Sequence, residues 1–133
     1  MLRIVFLILV ALIPIVLWAD DEIKCNNNGN QLELNACASD SFAEADKELN
    51  QTYQSPIKKE ADAPLFINKL RLAQKAWLAF RDAELEARFA CSEDDVRICW
   101  GSMYPMLFLS RKAELTRERT QHLQQILKDG RGE

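Results

Sequence analysis

The sequence predicts an all-α protein, a small antiparallel three-helix bundle. Three observations lead there. Apolar residues recur at steps of three and four along three long stretches, no stretch alternates as a strand would, and tight-turn residues are scarce, with only 4 Gly and 4 Pro. A chain of 133 residues is one domain's worth. Its hydrophobic fraction of 48% excludes a charge-rich disordered protein.

The first stretch opens after Asn26 to Asn30, a loop composition. Gln31 to Ala38 reads as a short helix capped by Asn30. Ser41-Phe42-Ala43-Glu44 is a capping box that can start a longer helix, and whether the two pieces fuse is open at this level. Phe42, Ala45, Leu49 and Tyr53 form its apolar stripe, and Ser55-Pro56 is expected to end or kink it.

The second stretch is the strongest. Asp62 is expected to cap it, with Pro64 in the first turn, and it runs to about Phe89. Phe66, Leu70, Ala73, Trp77 and Phe80 keep a four-three spacing. From Cys91 to Met103 the pattern breaks, with polar Ser92-Glu93-Asp94-Asp95 and a turn signal at Gly101-Ser102. Pro105 opens the third helix, which ends near Asp129-Gly130. Its stripe is Leu109, Ala113, Thr116, Thr120, Leu123 and Leu127.

Ahead of the bundle, Met1 to Arg3 is a positive start, and Ile4 to Ala19 carries no charge. As a helix this run spans about 24 Å, short of the ~30 Å hydrocarbon core. Acidic Asp20-Asp21-Glu22 follows at once. The order reads as a secretory signal peptide over residues 1–19, leaving 20–133 as one helical domain in the periplasm or outside the cell. Leu17 is large for the place three residues before the cut, so a retained anchor is the alternative; after cleavage no span remains. Glu22-Ile23-Lys24 before Cys25 is no lipid-attachment motif.

Export gives the cysteines their meaning. Cys25, Cys37, Cys91 and Cys99 are an even set in a small exported chain, which favours disulfides, with three connectivities open. No Cys-x-x-Cys pair occurs and the one histidine, His122, lies far away, so no metal site is expected. Past residue 19, the 20 acids face the 16 bases left without Arg3, a balance of about −4 that disfavours nucleic acid as partner.

Polar residues also fall near the predicted core. Asp46 and Asn50 share one helix face; Gln74, Trp77 and Arg81 share another, with Asp82 adjoining. Folding the first two helices back to back about residue 60 brings Asp46 opposite Ala76 and Trp77, one turn from Arg81. An Asp46–Arg81 pair with Trp77 stacked on the guanidinium is then within reach. Such a group is either a site between helices or, the weightier reading, a satisfied network that fixes register. Losing one partner of a buried pair costs about 3–5 kcal/mol.

Several motifs occur in a telling order: Cys25-x11-Cys37, Ala45-Asp46-x-x-Leu49-Asn50-x-x-Tyr53, Gln74-x-x-Trp77, Phe80-Arg81-Asp82-Ala83-Glu84, Gly101-Ser102-Met103-x-Pro105 and Leu115-Thr116-x-x-Arg119-Thr120. Over about residues 25 to 123 the chain resembles the lysozyme-inhibitor LprI-like family of small secreted bacterial proteins. The resemblance implies an exported, helical, disulfide-bonded protein and a structural polar network of Asp46, Asn50, Gln74, Trp77, Arg81, Asp82 and Arg119. The family takes its name from a member that inhibits lysozyme. Its members usually carry a cysteine just after the Arg-Asp-Ala-Glu motif and another just before the Leu-Thr-x-x-Arg segment. Here those places hold Leu85 and Arg111. The resemblance therefore implies the pairs Cys25–Cys37, tying an N-terminal arm to the first helix, and Cys91–Cys99, closing the second loop. Packing alone would then hold the third helix.

Catalysis is not expected. Asp82, Glu84 and Glu86 follow one another near the polar side of one helix rather than facing across a cleft. No nucleophile elbow, phosphate loop or dinucleotide fingerprint occurs, no cofactor is implied, and His122 reads as a surface residue near a helix C-terminus. The expected partner is a lysozyme or another cell-wall lytic enzyme, many of which are basic. Glu93, Asp94 and Asp95 would meet it, with Trp100 as an aromatic anchor; a plain solvated loop with Trp100 packed beneath is the competing reading. The alternative function is an envelope structural, interaction or immunity module that binds through helix faces. The third helix would supply Arg111, Lys112, Arg117, Arg119 and Lys128, unless these pair with neighbours such as Glu114 and Glu118.

Overall fold

The computed structural model describes residues 23–129, and the expected signal segment lies outside them. The elements are α1 (Gln31–Lys59), α2 (Pro64–Arg88), a short α3 (Val96–Trp100), one 3-10 turn (Gly101–Met103) and α4 (Tyr104–Asp129). Among the described residues there is no strand, so the all-α expectation holds.

The two pieces expected at the start of the bundle are one 29-residue helix. Its capping box is Asn30 with Glu33: Asn30 Oδ1 accepts from the Leu32 and Glu33 amides, and Glu33 returns a bond to the Asn30 amide at 2.8 Å. Ser41 to Glu44 therefore lies inside the helix. Pro56 does not end it either. The ring removes one backbone donor, but Pro56 lies in the last turn, is fully buried, and its carbonyl accepts from the Glu60 amide at 2.9 Å. At the start of α2, Ala63 rather than Asp62 occupies the cap, without a side-chain bond. The Ala63 amide is already used in a turn to the Glu60 carbonyl, and Pro64 has no amide to satisfy.

The helices run up, down, up. Arg117 Nη2 donates to Ser41 Oγ at 2.7 Å, and Lys59 Nζ to the Leu127 carbonyl at 3.5 Å, so α1 and α4 run in the same direction. Arg119 bonds Gln74, while Arg111 bonds Glu84, so α2 is antiparallel to α4. The closest helix pair is α1 with α4. Small buried residues permit this approach: Ala38 and Ala45 on one helix, Ala113, Thr116 and Thr120 on the other. Larger side chains, Leu70, Gln74, Arg81 and Leu85, hold α2 against that pair. Two of the expected apolar stripes differ accordingly. Phe80 is 59% exposed and Ala73 also faces out, because the buried stripe of α2 runs through Gln74 and Arg81 instead. In α4, Leu115 is buried at 3% although the sequence stripe passed it by.

The core has two apolar halves. Leu49, Leu70 and Leu123 form one, with Tyr53, Phe66 and Trp77 against them. Leu85, Phe89 and Leu115 form the other, with Trp100, Tyr104 and Phe108. Along α2 and α4 the sequence order places Arg81, Thr116 and Thr120, all buried, between the two halves, with buried Gln74 in the first half between Leu70 and Trp77.

Both disulfides form as the resemblance implied, Cys25–Cys37 and Cys91–Cys99. The third helix is not held by packing alone. Arg111 makes ion pairs with Glu84 on α2, and with Glu114 at 3.1 Å and Glu118 at 3.8 Å on α4.

Candidate functional site

Two groups of residues drew attention in the sequence, and the fold places them differently. The first is the polar layer. Arg81 on α2 is 6% exposed and meets Asp82 at 2.9 Å, while its guanidinium lies 5.2 Å from the centre of the Trp77 ring. The expected stacking of Trp77 is thus present, but the Asp46–Arg81 pair is not. Asp46 accepts from Asn50 Nδ2 at 2.9 Å, along its own helix. The reason is the packing: α1 makes its close approach to α4, and Arg81 reaches α1 only at the Phe42 ring, 6.0 Å away.

Arg119 completes the layer. Its Nε donates to Gln74 Oε1 at 2.9 Å, joining α4 to α2, and its buried Nη2 finds no partner among the described residues. Burial pulls its pKa below the usual guanidinium value, with Tyr53 opposing the shift. The two threonines satisfy themselves: Thr116 donates to the Lys112 carbonyl at 2.7 Å and Thr120 to the Thr116 carbonyl at 3.1 Å. The hydrogen bonds and ion pair of this layer run between its own side chains and the backbone of α4.

Three more basic residues of α4 are engaged within the bundle. Arg111 turns to Glu84, Arg117 to Ser41, and Lys112 stacks on Phe42 at 4.8 Å. The bond to Glu84, then that to Glu114, raises the Arg111 pKa. His122 is exposed.

The second group surrounds the Cys91–Cys99 loop. Asp95 caps α3, accepting from the Arg97 amide at 2.9 Å, and also holds the Arg97 guanidinium at 2.8 Å. The hydrogen bonds from Arg97 hold its carboxyl below the ordinary carboxylate value of 3.8 and raise the Arg97 pKa in return. Asp95 is therefore part of the loop's own scaffold. Glu93 and Asp94 are exposed and make no side-chain bond among the described residues. Gly101 ends α3 at φ 64°, in the left-handed region that a side chain would strain, and so turns the chain into α4.

Trp100 is half-buried and meets Phe89 edge to face, with ring centres 5.1 Å apart. Phe89 also meets Tyr104 at 5.9 Å and Phe108 at 5.6 Å. This aromatic cluster is the part that sequence reasoning missed. Its one signal was the return of aromatic residues on both sides of the loop, Phe89 before it and Trp100, Tyr104 and Phe108 after it. Between loop and cluster lies a groove of about 430 Å³, floored by Leu85, Phe89, Tyr104 and Phe108 and rimmed by Glu86, Glu93 and Asp94. No group of three or more His, Cys, Asp or Glu side chains among the described residues is placed to hold a metal ion. No helix among them is long and apolar enough to cross a membrane.

Fold and site together define a class, the disulfide-bonded helical bundle that presents a closed acidic loop. The family model described as "Lysozyme inhibitor LprI" matches residues 24–123, and the chain belongs to that family. It is similar to "Uncharacterized protein R02472" of Rhizobium meliloti (strain 1021), at 33% identity over 117 residues covering 80% of each protein. No solved structure matches the chain.

Proposed function

We propose that this chain is an exported binding protein that blocks a lysozyme or a related cell-wall lytic enzyme and carries out no reaction of its own. The family match over residues 24–123 is the observation that carries this reading. Two disulfides and no free cysteine among the described residues suit an oxidising compartment, as does the signal-like start. The acidic balance of the chain has the sign that attracts a basic enzyme. The test is the rate at which a basic lysozyme clears a cell-wall suspension in the presence of the exported, oxidised protein. Slowed clearing that saturates with added protein is expected; clearing at the uninhibited rate under saturating protein overturns the reading.

One observation favours a second reading, an interaction module of the envelope. Leu65, Leu72 and Phe80 follow one face of α2 and are 71%, 61% and 59% exposed. Under that reading a pull-down from periplasmic extract recovers an envelope protein through α2 and no lysozyme.

A further inference from the structure

We propose that the groove beneath the Cys91–Cys99 loop is a socket for one arginine or lysine side chain of a basic partner protein. The naming of that partner as a lytic enzyme rests on the function proposed above; the socket itself rests on the groove. The floor is apolar and aromatic, with Phe89, Tyr104 and Phe108 around Leu85, and the rim is anionic, with Glu86, Glu93 and Asp94. None of these three carboxylates makes a hydrogen bond or ion pair among the described residues, whereas Asp95 in the same loop is already held by Arg97.

An apolar floor with an unpaired anionic rim matches an amphipathic cation. The alkyl stem of arginine or lysine lies over rings, and its charged head ends among carboxylates. A neutral apolar group would leave the rim unused; a bare metal ion would find no converging ligand set. At about 430 Å³ the groove is large enough for such a side chain and the backbone that carries it. The socket is also formed in advance. The disulfide closes the loop, Asp95 caps α3, and Phe89 is fixed by three ring contacts, so little ordering remains to be done on binding.

The experiment has two arms. In the first, N-acetyl-arginine amide and its neutral isostere N-acetyl-citrulline amide are titrated into the oxidised protein, and amide shifts are followed by NMR. Arginine amide is expected to move Ala90, Glu93, Asp94 and Val96 saturably, and citrulline amide to bind at least about tenfold more weakly. Glu93→Gln with Asp94→Asn, at exposed positions that the fold does not use, is expected to cost arginine amide about tenfold, and added salt to weaken it further. Equal response to the two probes, shifts centred elsewhere, or no loss in the double variant overturns the socket. In the second arm, a basic lysozyme is bound to the wild-type protein and to the variant that adds Glu86→Gln. Loss in the variant supports the socket as its contact. Equal affinity for both overturns the socket and leaves the inhibitor reading standing. Arginine amide in the groove without lysozyme binding supports the socket and removes the inhibitor reading.

Discussion

Arg111 on α4 donates from Nη2 to Glu84 Oε1 on α2, and the two side chains are 24% and 28% exposed. The bond lies beside the two places where the resemblance puts cysteines in other members, held here by Leu85 and Arg111. Leu85 takes up the other half of the exchange: it is 1% exposed and packs with Phe89 and Leu115. An ion pair and a buried leucine thus join α2 to α4 in the present chain.

Arg111→Met is therefore expected to destabilise the protein by about 1–2 kcal/mol, between the values for exposed and buried pairs. In a double-mutant cycle with Glu84→Gln the coupling should reach about 0.5–1 kcal/mol by urea unfolding. Coupling near zero would mean that packing alone holds the seam. The pH dependence follows from the raised pKa of Arg111. A base whose folded-state pKa is raised contributes stability that is fully present below its ordinary value and is lost only as pH climbs through the higher folded one. Arg111 should add no slope to stability between about pH 6 and 9.

The Gln74–Arg119 bond behaves differently, because the arginine has no carboxylate beside it in the hydrogen-bond network. Gln74→Ala removes its one side-chain acceptor and should cost about 1–3 kcal/mol. Arg119→Met removes the buried charge along with its desolvation cost but leaves Gln74 Oε1 without a donor, and should therefore cost less than Gln74→Ala. The lowered pKa gives the same sign: folding disfavours the charged form, so stability is reduced below the folded-state pKa and rises as pH climbs through it toward the ordinary guanidinium value. Equal destabilisation by both variants, read from urea midpoints, would contradict this account.

These two bonds also mark what the sequence could and could not reveal. The periodic spacing of Phe66, Leu70 and Trp77 was enough for a helix, since that pattern is local. Asn30 and Pro64 were legible for the same reason: a cap and a first-turn proline act within one turn. Asp46–Arg81 failed because it required knowing which helix α1 packs against, and that choice was made by Ala45, Ala113 and Thr116, small residues whose value lies in the distance they permit. The loop shows the same division. The acids Glu93, Asp94 and Asp95 were plain in the sequence, but the spending of Asp95 on Arg97 and the aromatic floor under Glu93 depend on how α3 turns back over Phe89.

Asp95 gives a sharper pH prediction. Its folded-state pKa is depressed by Arg97, so the cap's contribution is present above the unfolded value, near 3.8, and is lost as pH falls through the lower folded one. Carboxyl NMR should find Asp95 titrating below 3.8. Asp95→Ala should speed amide exchange at Arg97, whose N–H it accepts, and leave α1 unaffected. A normal titration would show the Arg97 contact to be absent in solution.

The two disulfides staple one end of the bundle. Cys37 lies on α1 near Asn35, which donates to the Ser102 carbonyl at 3.3 Å, and Ser102 follows closely on Cys99. The opposite end, where Lys59 meets the Leu127 carbonyl, has no covalent tie. Replacing Cys91 and Cys99 by serine should cost about 2–3 kcal/mol, the chain entropy of a loop this short. Its local effect should be polarised. Amide exchange is expected to accelerate between residues 91 and 104, where α3 and the groove rim lose their closure, while Leu49, Leu70 and Leu123 keep their protection relative to the global unfolding limit. Uniform acceleration through both apolar halves would mean that the polar layer of Gln74, Arg81 and Arg119 does not separate them, and that the bundle opens as one unit.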